Sequence, residues 1–214
     1  MKSLSDCRLY TFVDSAYLHG REPADIARQL CEGGSDVIQL RAKNSAVEEI
    51  RRMAELILPI TRDFDVGLVI NDHLSLAIEL GAEYCHLGQE DFFDAGHAHV
   101  SELGLPGAHP QIGLSTHAPA QAQRALAAQP AYIAIGPIYA TGTKPTAKPV
   151  TLEYVRWAAE NVSLPWFAIG GINLQNLDQV LAAGAQRICV VSAILNASDV
   201  AGACREFRRR MGDR

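Results

Sequence analysis

The stretch Val37-Ile38-Gln39-Leu40-Arg41-Ala42-Lys43 decides the fold. Its first half is mostly apolar and opens with two β-branched residues, as is typical of a buried β-strand, and it then ends in two cations. Because side chains alternate across a strand, Arg41 and Lys43 point the same way and can face one anion. Arginine offers a planar fork for phosphate oxygens and lysine a point charge. The alternative is a solvated strand end, with both charges in water.

Six further apolar runs end in the same manner, in charged, amide, hydroxyl or glycine residues. With their polar ends they cover 68–72, 84–91, 112–117, 132–136, 166–171 and 188–192. When the strands all end this way on one side, the ends can converge on a single site. The pattern predicts a parallel β/α barrel with an active site at its carboxyl-terminal rim.

Strand-like and helix-like patterns alternate along the chain. The predicted strands are 9–13, 37–40, 67–70, 84–87, 112–114, 132–135, 166–169 and 188–191, in strict alternation with about eight helices. The segment 91–111 is the least periodic. A doubly wound open sheet uses the same alternation but usually has fewer strands. The favoured fold is therefore a single (β/α)8 TIM barrel, one domain over residues 1–214.

Composition and charge limit the class of protein. The chain has 214 residues and a formal net charge of -5, whereas nucleic-acid binding requires a basic face. Its five cysteines form no Cys-x-x-Cys pair, which predicts a cytoplasmic protein without disulfides or a zinc site. No apolar run approaches the ~20 residues that span a bilayer, so no membrane partner is expected. A homo-oligomer stays open.

Two neighbouring predicted strands are each followed by an aspartate. Asn71 and Asp72 follow the third strand, and Asp91 follows the fourth. Two carboxylates on adjacent strand ends can share a hard cation. Mg²⁺ prefers one or two carboxylates together with waters and substrate phosphate oxygens. The alternative is that both aspartates are helix N-caps.

Other polar ends are suited to anions. The loop Thr141-Gly142-Thr143-Lys144 offers hydroxyls and a cation, or is a mobile surface loop. After the last two strands, Gly170-Gly171 and Val191-Ser192 match the phosphate site of barrels, which is built from backbone N–H groups and a helix N-terminus. Two anion pockets predict two phosphorylated substrates, one of them a diphosphate.

The serine and histidine residues give a weaker signal. Ser115 and His117 follow the fifth strand without a recognisable hydrolase elbow, and they could bind oxyanions or shuttle a proton. His86 lies within the fourth strand and is expected to be a satisfied interior histidine.

Eight ordered motifs resemble the thiamine-phosphate synthase family, from the second strand to the eighth. They are QLRAK at 39–43, IND at 70–72, HLGQED at 86–91, GLSTH at 113–117, GPI at 136–138, TGTK at 141–144, AIGGI at 168–172 and VVSAI at 190–194. The resemblance implies that 4-amino-5-hydroxymethyl-2-methylpyrimidine diphosphate is joined to a thiazole phosphate, or its carboxylated form. The products would be thiamine phosphate and pyrophosphate, so the enzyme would be a transferase of thiamine biosynthesis.

The resemblance also implies residue roles. Residues that would hold the diphosphate are Arg41, Lys43, Asn71, Ser115 and Lys144, of which Arg41, Ser115 and Lys144 would be catalytic. Asp72 and Asp91 would bind Mg²⁺, and Gln39 would help to seat the pyrimidine. Residues that would contact the thiazole substrate are Thr141 and Thr143, with Gly171, Val191 and Ser192 on its phosphate.

Two other functions remain as alternatives. A thiazole tautomerase resembles the same family, and there His117 would act as the acid and base. Such an enzyme needs no pyrophosphate pocket. Here the residues for one are all present, namely Arg41, Lys43, Asp72, Asp91 and Lys144. A non-catalytic ligand-binding barrel is the second alternative, and polar groups on nearly every strand end argue against it.

Overall fold

The computed structural model describes residues 2–105, 107, 109–141 and 149–212. Thr143 and Lys144, for which the sequence predicts roles in substrate binding, lie outside the described residues.

Eight parallel strands close into a barrel in which each strand pairs with its neighbours in chain order. The strands are β1 Leu9–Asp14, β2 Val37–Arg41, β3 Gly67–Asn71, β4 Tyr84–Leu87, β5 Gln111–Thr116, β6 Tyr132–Ile135, β7 Trp166–Ile169 and β8 Ile188–Cys189. Pairing of β1 with β8 completes the closure. The predicted TIM barrel is confirmed, and its carboxyl-terminal rim carries the polar strand ends.

Helices surround the barrel within the part of the chain that the structure describes. They are α1 Pro23–Glu32, α2 Val47–Asp63, α3 Leu74–Leu80, α4 Pro119–Ala127, α5 Thr151–Asn161, α6 Leu177–Ala182, α7 Ser192–Leu195 and α8 Val200–Met211. α2 has a typical amphipathic pattern, since Ile50, Ala54 and Ile57 are buried on one face. Among the described residues, no helix combines the length and apolarity needed to cross a membrane.

The prediction of strict alternation is wrong between β4 and β5. Over the described residues there, the chain forms only a π-helical turn at Glu90–Asp94 and a 3₁₀ turn at Val100–Leu103. Phe92 and Phe93 are both buried, and Val100, Leu103 and Leu105 pack against the core farther along, a spacing that gives no continuous helical stripe. The Arg124 guanidinium of α4 lies 4.0 Å from the Phe93 ring centroid and covers the turn.

Two strand ends differ from their predicted bounds in a way that affects the rim. β1 continues to Asp14, one residue beyond its predicted end, and β8 stops at Cys189 rather than at residue 191. The short β8 leaves Val191 as the residue before α7, which begins at Ser192. Both changes bring polar or backbone groups to the rim.

Aromatic side chains fill the middle of the barrel. Tyr10, Tyr132 and Phe167 meet edge to face, with ring centroids 5.2–6.0 Å apart. Gly113 of β5 makes room for this cluster, because a methyl group there would overlap the Tyr132 ring. The floor beneath the rim is thus closely packed.

Candidate active site

A single cleft opens at the carboxyl ends of the strands and brings together every predicted site residue that the structure describes. These residues are Gln39, Arg41, Lys43, Asn71, Asp72, Asp91, Ser115, Thr141, Gly171, Val191 and Ser192. They arrive from several strands, because residues far apart in sequence reach one rim when parallel strands close into a barrel. The cleft is also lined by residues that the sequence did not single out for it, including Tyr10, Phe12 and His86.

Arg41 is held by a carboxylate that the sequence analysis missed. Asp14 lies opposite Arg41 in the register of β1 and β2, and its Oδ2 accepts from Arg41 Nη1 at 2.6 Å. The Asp14 side chain is 1% exposed, and it also accepts from the Ala16 N–H at 3.0 Å. A signal was available, since Asp14 follows the apolar run 9–13 as polar residues follow the other strands.

Asp72 and Asp91 form an acidic pair at the ends of β3 and β4. Burial raises the pKa of the Asp72 carboxyl, and the negative charge of Asp91 raises it further. Asn71 Nδ2 donates to Asp72 Oδ2 at 2.6 Å, and Lys43 Nζ lies 3.8 Å from the same oxygen. Asp72 adopts φ +65°, a left-handed conformation that is costly for a residue with a Cβ and recurs at functional sites.

The alternative of two helix N-caps finds no support at either aspartate. His73 is the residue before α3, and its N-terminus has no side-chain cap. Asp91 lies inside the π-helical turn, and its Oδ2 accepts from the Gly88 N–H at 3.2 Å. The described part of the chain holds no cluster of three or more His, Cys, Asp or Glu side chains around a common point. Any cation there would take its remaining ligands from substrate and water.

A chain of hydrogen bonds crosses the barrel directly below the cleft. Its links are Gln39 Nε2 to Tyr10 Oη at 2.7 Å, Tyr10 Oη to Tyr132 Oη at 3.0 Å, Tyr132 Oη to His86 Nδ1 at 3.1 Å, and His86 Nε2 to Ser115 Oγ at 2.9 Å. His86 is buried and hydrogen-bonded, as the sequence predicted for an interior histidine, but it also lines the cleft.

The opposite wall of the cleft is made mostly of backbone. Gly171 follows β7 at φ +65°, and a Cβ there would lie 2.8 Å from the Ala140 carbonyl oxygen and from Tyr139 Cβ. Glycine is therefore required by both conformation and space. Ser192 begins α7, and the first N–H groups of a helix have no intrahelical acceptor. This wall presents neutral donors, in contrast to the charged wall across from it.

His117 and Thr141 lie between the two walls. His117 Nδ1 donates to the Gly136 carbonyl oxygen, and its backbone N–H donates to Gln121 Oε1 at 2.7 Å. Thr141 is half-buried and lines the cleft. These two residues, which follow β5 and β6, thus lie between the charged end of the cleft and its backbone end.

The sequence matches the family model described as thiamine monophosphate synthase over residues 9–194, which covers the whole barrel. The chain belongs to the thiamine monophosphate synthase family. Membership makes it an enzyme, a transferase of thiamine biosynthesis that acts on small molecules, and confirms the family that the sequence motifs predicted.

Individual thiamine monophosphate synthases are similar over nearly their full length. The thiamine-phosphate synthase of Thermus thermophilus is 45% identical over 188 residues, which cover 87% of this chain and 88% of that protein. That of Halalkalibacterium halodurans is 37% identical over 206 residues, 95% of each chain. The structure of thiamine phosphate pyrophosphorylase from Pyrococcus furiosus superposes with a TM-score of 0.86 at 28% identity, covering 98% of both chains.

Proposed function

We propose that this protein condenses 4-amino-5-hydroxymethyl-2-methylpyrimidine diphosphate with a thiazole phosphate, or its carboxylated form, and releases pyrophosphate. The observation that carries the proposal is the division of one cleft into two anion-binding walls. Arg41, Lys43 and Asn71 line one wall, and Gly171 and Ser192 line the other. A diphosphate and a monophosphate held at opposite ends would leave the two rings facing each other in the middle.

Diphosphate binding is assigned to the charged wall. Arg41, Lys43, Asn71 and Ser115 would hold the oxygens that gain charge as the bond to the pyrimidine methylene breaks. Donors placed on a leaving group act on the transition state more than on the ground state. Lys144, which lies outside the described residues, would complete this set from the loop after Thr141.

Asp72 and Asp91 would hold Mg²⁺ against the same diphosphate. Their side chains fit such an ion, because both are carboxylates beyond the ends of adjacent strands. Burial raises the pKa of the Asp72 carboxyl, and the negative charge of Asp91 raises it further, so a cation between them would relieve that cost. A bound Mg²⁺ supplies positive charge that neutralises the departing pyrophosphate. The nearby Lys43 ammonium, 3.8 Å from Asp72 Oδ2, offsets part of the same repulsion.

The two rings are assigned to the middle of the cleft. Gln39 donates through Nε2 to Tyr10 Oη, so its amide oxygen would accept from the amino group of the pyrimidine. Thr141 and Thr143 would contact the thiazole, whose phosphate would lie on the N–H groups of Gly171, Val191 and Ser192. Holding the thiazole nitrogen in line with the methylene carbon would supply the remaining rate enhancement.

A single assay tests the reaction. The purified protein would be mixed with both substrates and Mg²⁺, and pyrophosphate and thiamine phosphate would be measured, with each substrate or the metal left out in turn. Release only in the complete mixture supports the proposal. A folded protein that releases none, but moves a proton on the thiazole carboxylate phosphate alone, would instead be a tautomerase that uses His117.

The state of the cysteines bears on where the protein is located. All five cysteines are buried and free, as expected for a protein of the cytoplasm. We expect a cytoplasmic enzyme, and a homo-oligomer stays a prediction that sedimentation would test.

A further inference from the structure

The hydrogen-bond chain beneath the cleft has a definite direction. Gln39 Nε2 is a donor only, so Tyr10 Oη accepts at that end. Tyr10 must then give its own proton to Tyr132 Oη, which is the other polar atom within hydrogen-bond distance among the described residues. Burial raises the pKa of both phenols well above the ordinary value, so both keep their protons. Each hydrogen bond in this series is therefore donated in the same direction, away from Gln39.

The direction fixes the state of the imidazole. Because Tyr132 accepts from Tyr10, its own proton goes to His86 Nδ1 at 3.1 Å. A neutral imidazole with a bare Nδ1 carries its proton on Nε2, which lies 2.9 Å from Ser115 Oγ. The other tautomer, or the imidazolium, would place two donors on Tyr132 Oη and leave the Tyr132 proton without an acceptor within the described part of the barrel.

We infer that Tyr132 is a positioning residue: with Tyr10 it selects the Nε2–H tautomer of His86, so that Ser115 accepts from the imidazole and donates its own proton into the cleft. There the hydroxyl would meet the leaving diphosphate. The identity of that anion rests on the proposed function. The tautomer of His86 does not, because it follows from the hydrogen bonds alone. A serine in the opposite orientation would present lone pairs to the anion and repel it.

The packing around Tyr132 supports a role in positioning. Gly113 lies opposite Tyr132 in the register of β5 and β6, and any Cβ there would overlap the phenol ring. The His86 ring is stacked on the Tyr132 ring, with centroids 5.7 Å apart and planes inclined by 26°. Gln89 Nε2 donates to the Ser115 carbonyl oxygen at 2.5 Å and holds the serine from the other side. The Ser115 backbone is thus held by Gln89, and its Oγ has His86 Nε2 as its hydrogen-bond partner among the described residues.

Nitrogen NMR of the full chain reads the tautomer directly. With ¹⁵N-labelled histidine, long-range ¹⁵N–¹H correlations distinguish the protonated ring nitrogen from the bare one, and the spectrum of His86→Gln identifies the signal. We expect the Nε2–H pattern in the substrate-free protein and its loss in Tyr132→Phe. Tyr154→Phe is the matched control. It removes a buried phenolic hydroxyl that donates to Thr116 Oγ1 at 2.8 Å and takes no part in the hydrogen-bond chain from Gln39 to Ser115. An Nδ1–H pattern or an imidazolium in the unaltered protein would overturn the inference.

Kinetics supply a second readout that a merely structural role would not give. Tyr132→Phe should lower kcat about tenfold, with KM for the pyrimidine diphosphate within about twofold, because the donor acts on the departing charge. In a Ser115→Ala background, Tyr132→Phe should lower kcat by less than about twofold, since no Ser115 hydroxyl remains to be oriented. Equal losses of kcat in both backgrounds would contradict the inference.

If Tyr132→Phe does not fold, Tyr10→Phe interrupts the same hydrogen-bond chain one link earlier. An Nε2–H tautomer in a protein that releases no pyrophosphate would support the tautomer and refute the proposed reaction.

Discussion

Arg41 of β2 donates to Asp14 of β1 through a 2.6 Å contact between Nη1 and Oδ2, and both side chains are almost entirely shielded from solvent. The guanidinium is therefore anchored on one side by a buried carboxylate. Arg41 also lines the cleft. If Arg41 binds the diphosphate as proposed, Asp14 should determine how the guanidinium is presented to it.

Replacing Asp14 by asparagine should weaken diphosphate binding. The amide keeps the shape but not the charge, and a charged hydrogen bond contributes about 1.5–3 kcal/mol. We expect KM for the pyrimidine diphosphate to rise about tenfold or more, measured by steady-state kinetics. Glu79→Gln is the control, because it removes the charge of an exposed arginine–carboxylate pair with Arg51 on the helices. If KM for Asp14→Asn stays within about twofold of the value for the unaltered protein, Arg41 does not need the Asp14 charge to hold its orientation.

Removing either acidic side chain should change the response to metal. For Asp72→Asn or Asp91→Asn, we expect the Mg²⁺ concentration at half-maximal rate to rise by more than about tenfold, since loss of even an outer-shell partner costs about 10–100-fold. The measurement is a titration of pyrophosphate release with Mg²⁺. Asp94→Asn, an exposed residue of the same turn as Asp91, is the control. An unchanged titration in both acidic variants would exclude this pair as the metal site.

Gly171→Ala should act on one substrate alone. The added methyl group would be strained at φ +65° and would press on Ala140 and Tyr139, which moves the backbone N–H assigned to the thiazole phosphate. We expect KM for the thiazole phosphate to rise about tenfold while KM for the pyrimidine diphosphate stays constant. Gly104→Ala carries the same positive φ, +62°, with open space around it, so it controls for the backbone cost. Equal changes in both KM values would contradict a separate phosphate wall.

Lys144→Ala should cut turnover more than binding. Loss of a donor to the leaving group is expected to lower kcat about 10²–10³-fold, with a smaller change in KM for the pyrimidine diphosphate. Single-turnover kinetics would separate the two effects, and Lys148→Ala serves as the comparison within the same stretch of sequence. Unchanged turnover would remove Lys144 from the catalytic set.

Asp36, the residue before β2, should make the stability of the fold depend on pH in the acid range. It accepts from Lys2 Nζ, the N–H groups of Arg8 and Leu9, and Arg208 Nη1. Burial alone would raise the pKa of this carboxyl, but these donors together lower it. A lowered folded-state pKa gives stability that is complete above the unfolded value of about 3.9 and is lost as the pH falls through the folded value.

The test of this pH dependence is Asp36→Asn, which leaves buried donors without a charged acceptor. We expect a loss of about 3 kcal/mol in the free energy of unfolding near neutral pH, measured with urea, and a smaller difference in acid. The exposed Asp63→Asn should be neutral at both pH values. A loss that stays constant as the pH falls would show that charge is not the cause.

Much of the fold and of the site could be read from local patterns. The apolar run that ends in Arg41 and Lys43 predicted both a strand and two cations on one side of its end, since alternation along a strand depends only on neighbouring residues. The segment between β4 and β5 could not be predicted, because its structure depends on the burial of Phe92 and on a cation from α4 over Phe93. The end of β8 was likewise set by pairing with β1, which no local pattern contains.

The sequence by itself determined the barrel, its family and the residues that meet at the rim, because strand periodicity and side-chain chemistry are local properties. Only the tertiary structure decided that Asp14 anchors Arg41 and that Tyr10, Tyr132 and His86 link Gln39 to Ser115. Those contacts depend on strand register and on how far side chains reach across a closed barrel. Residues on five different strands become neighbours only after closure, so their partnerships are a property of the fold.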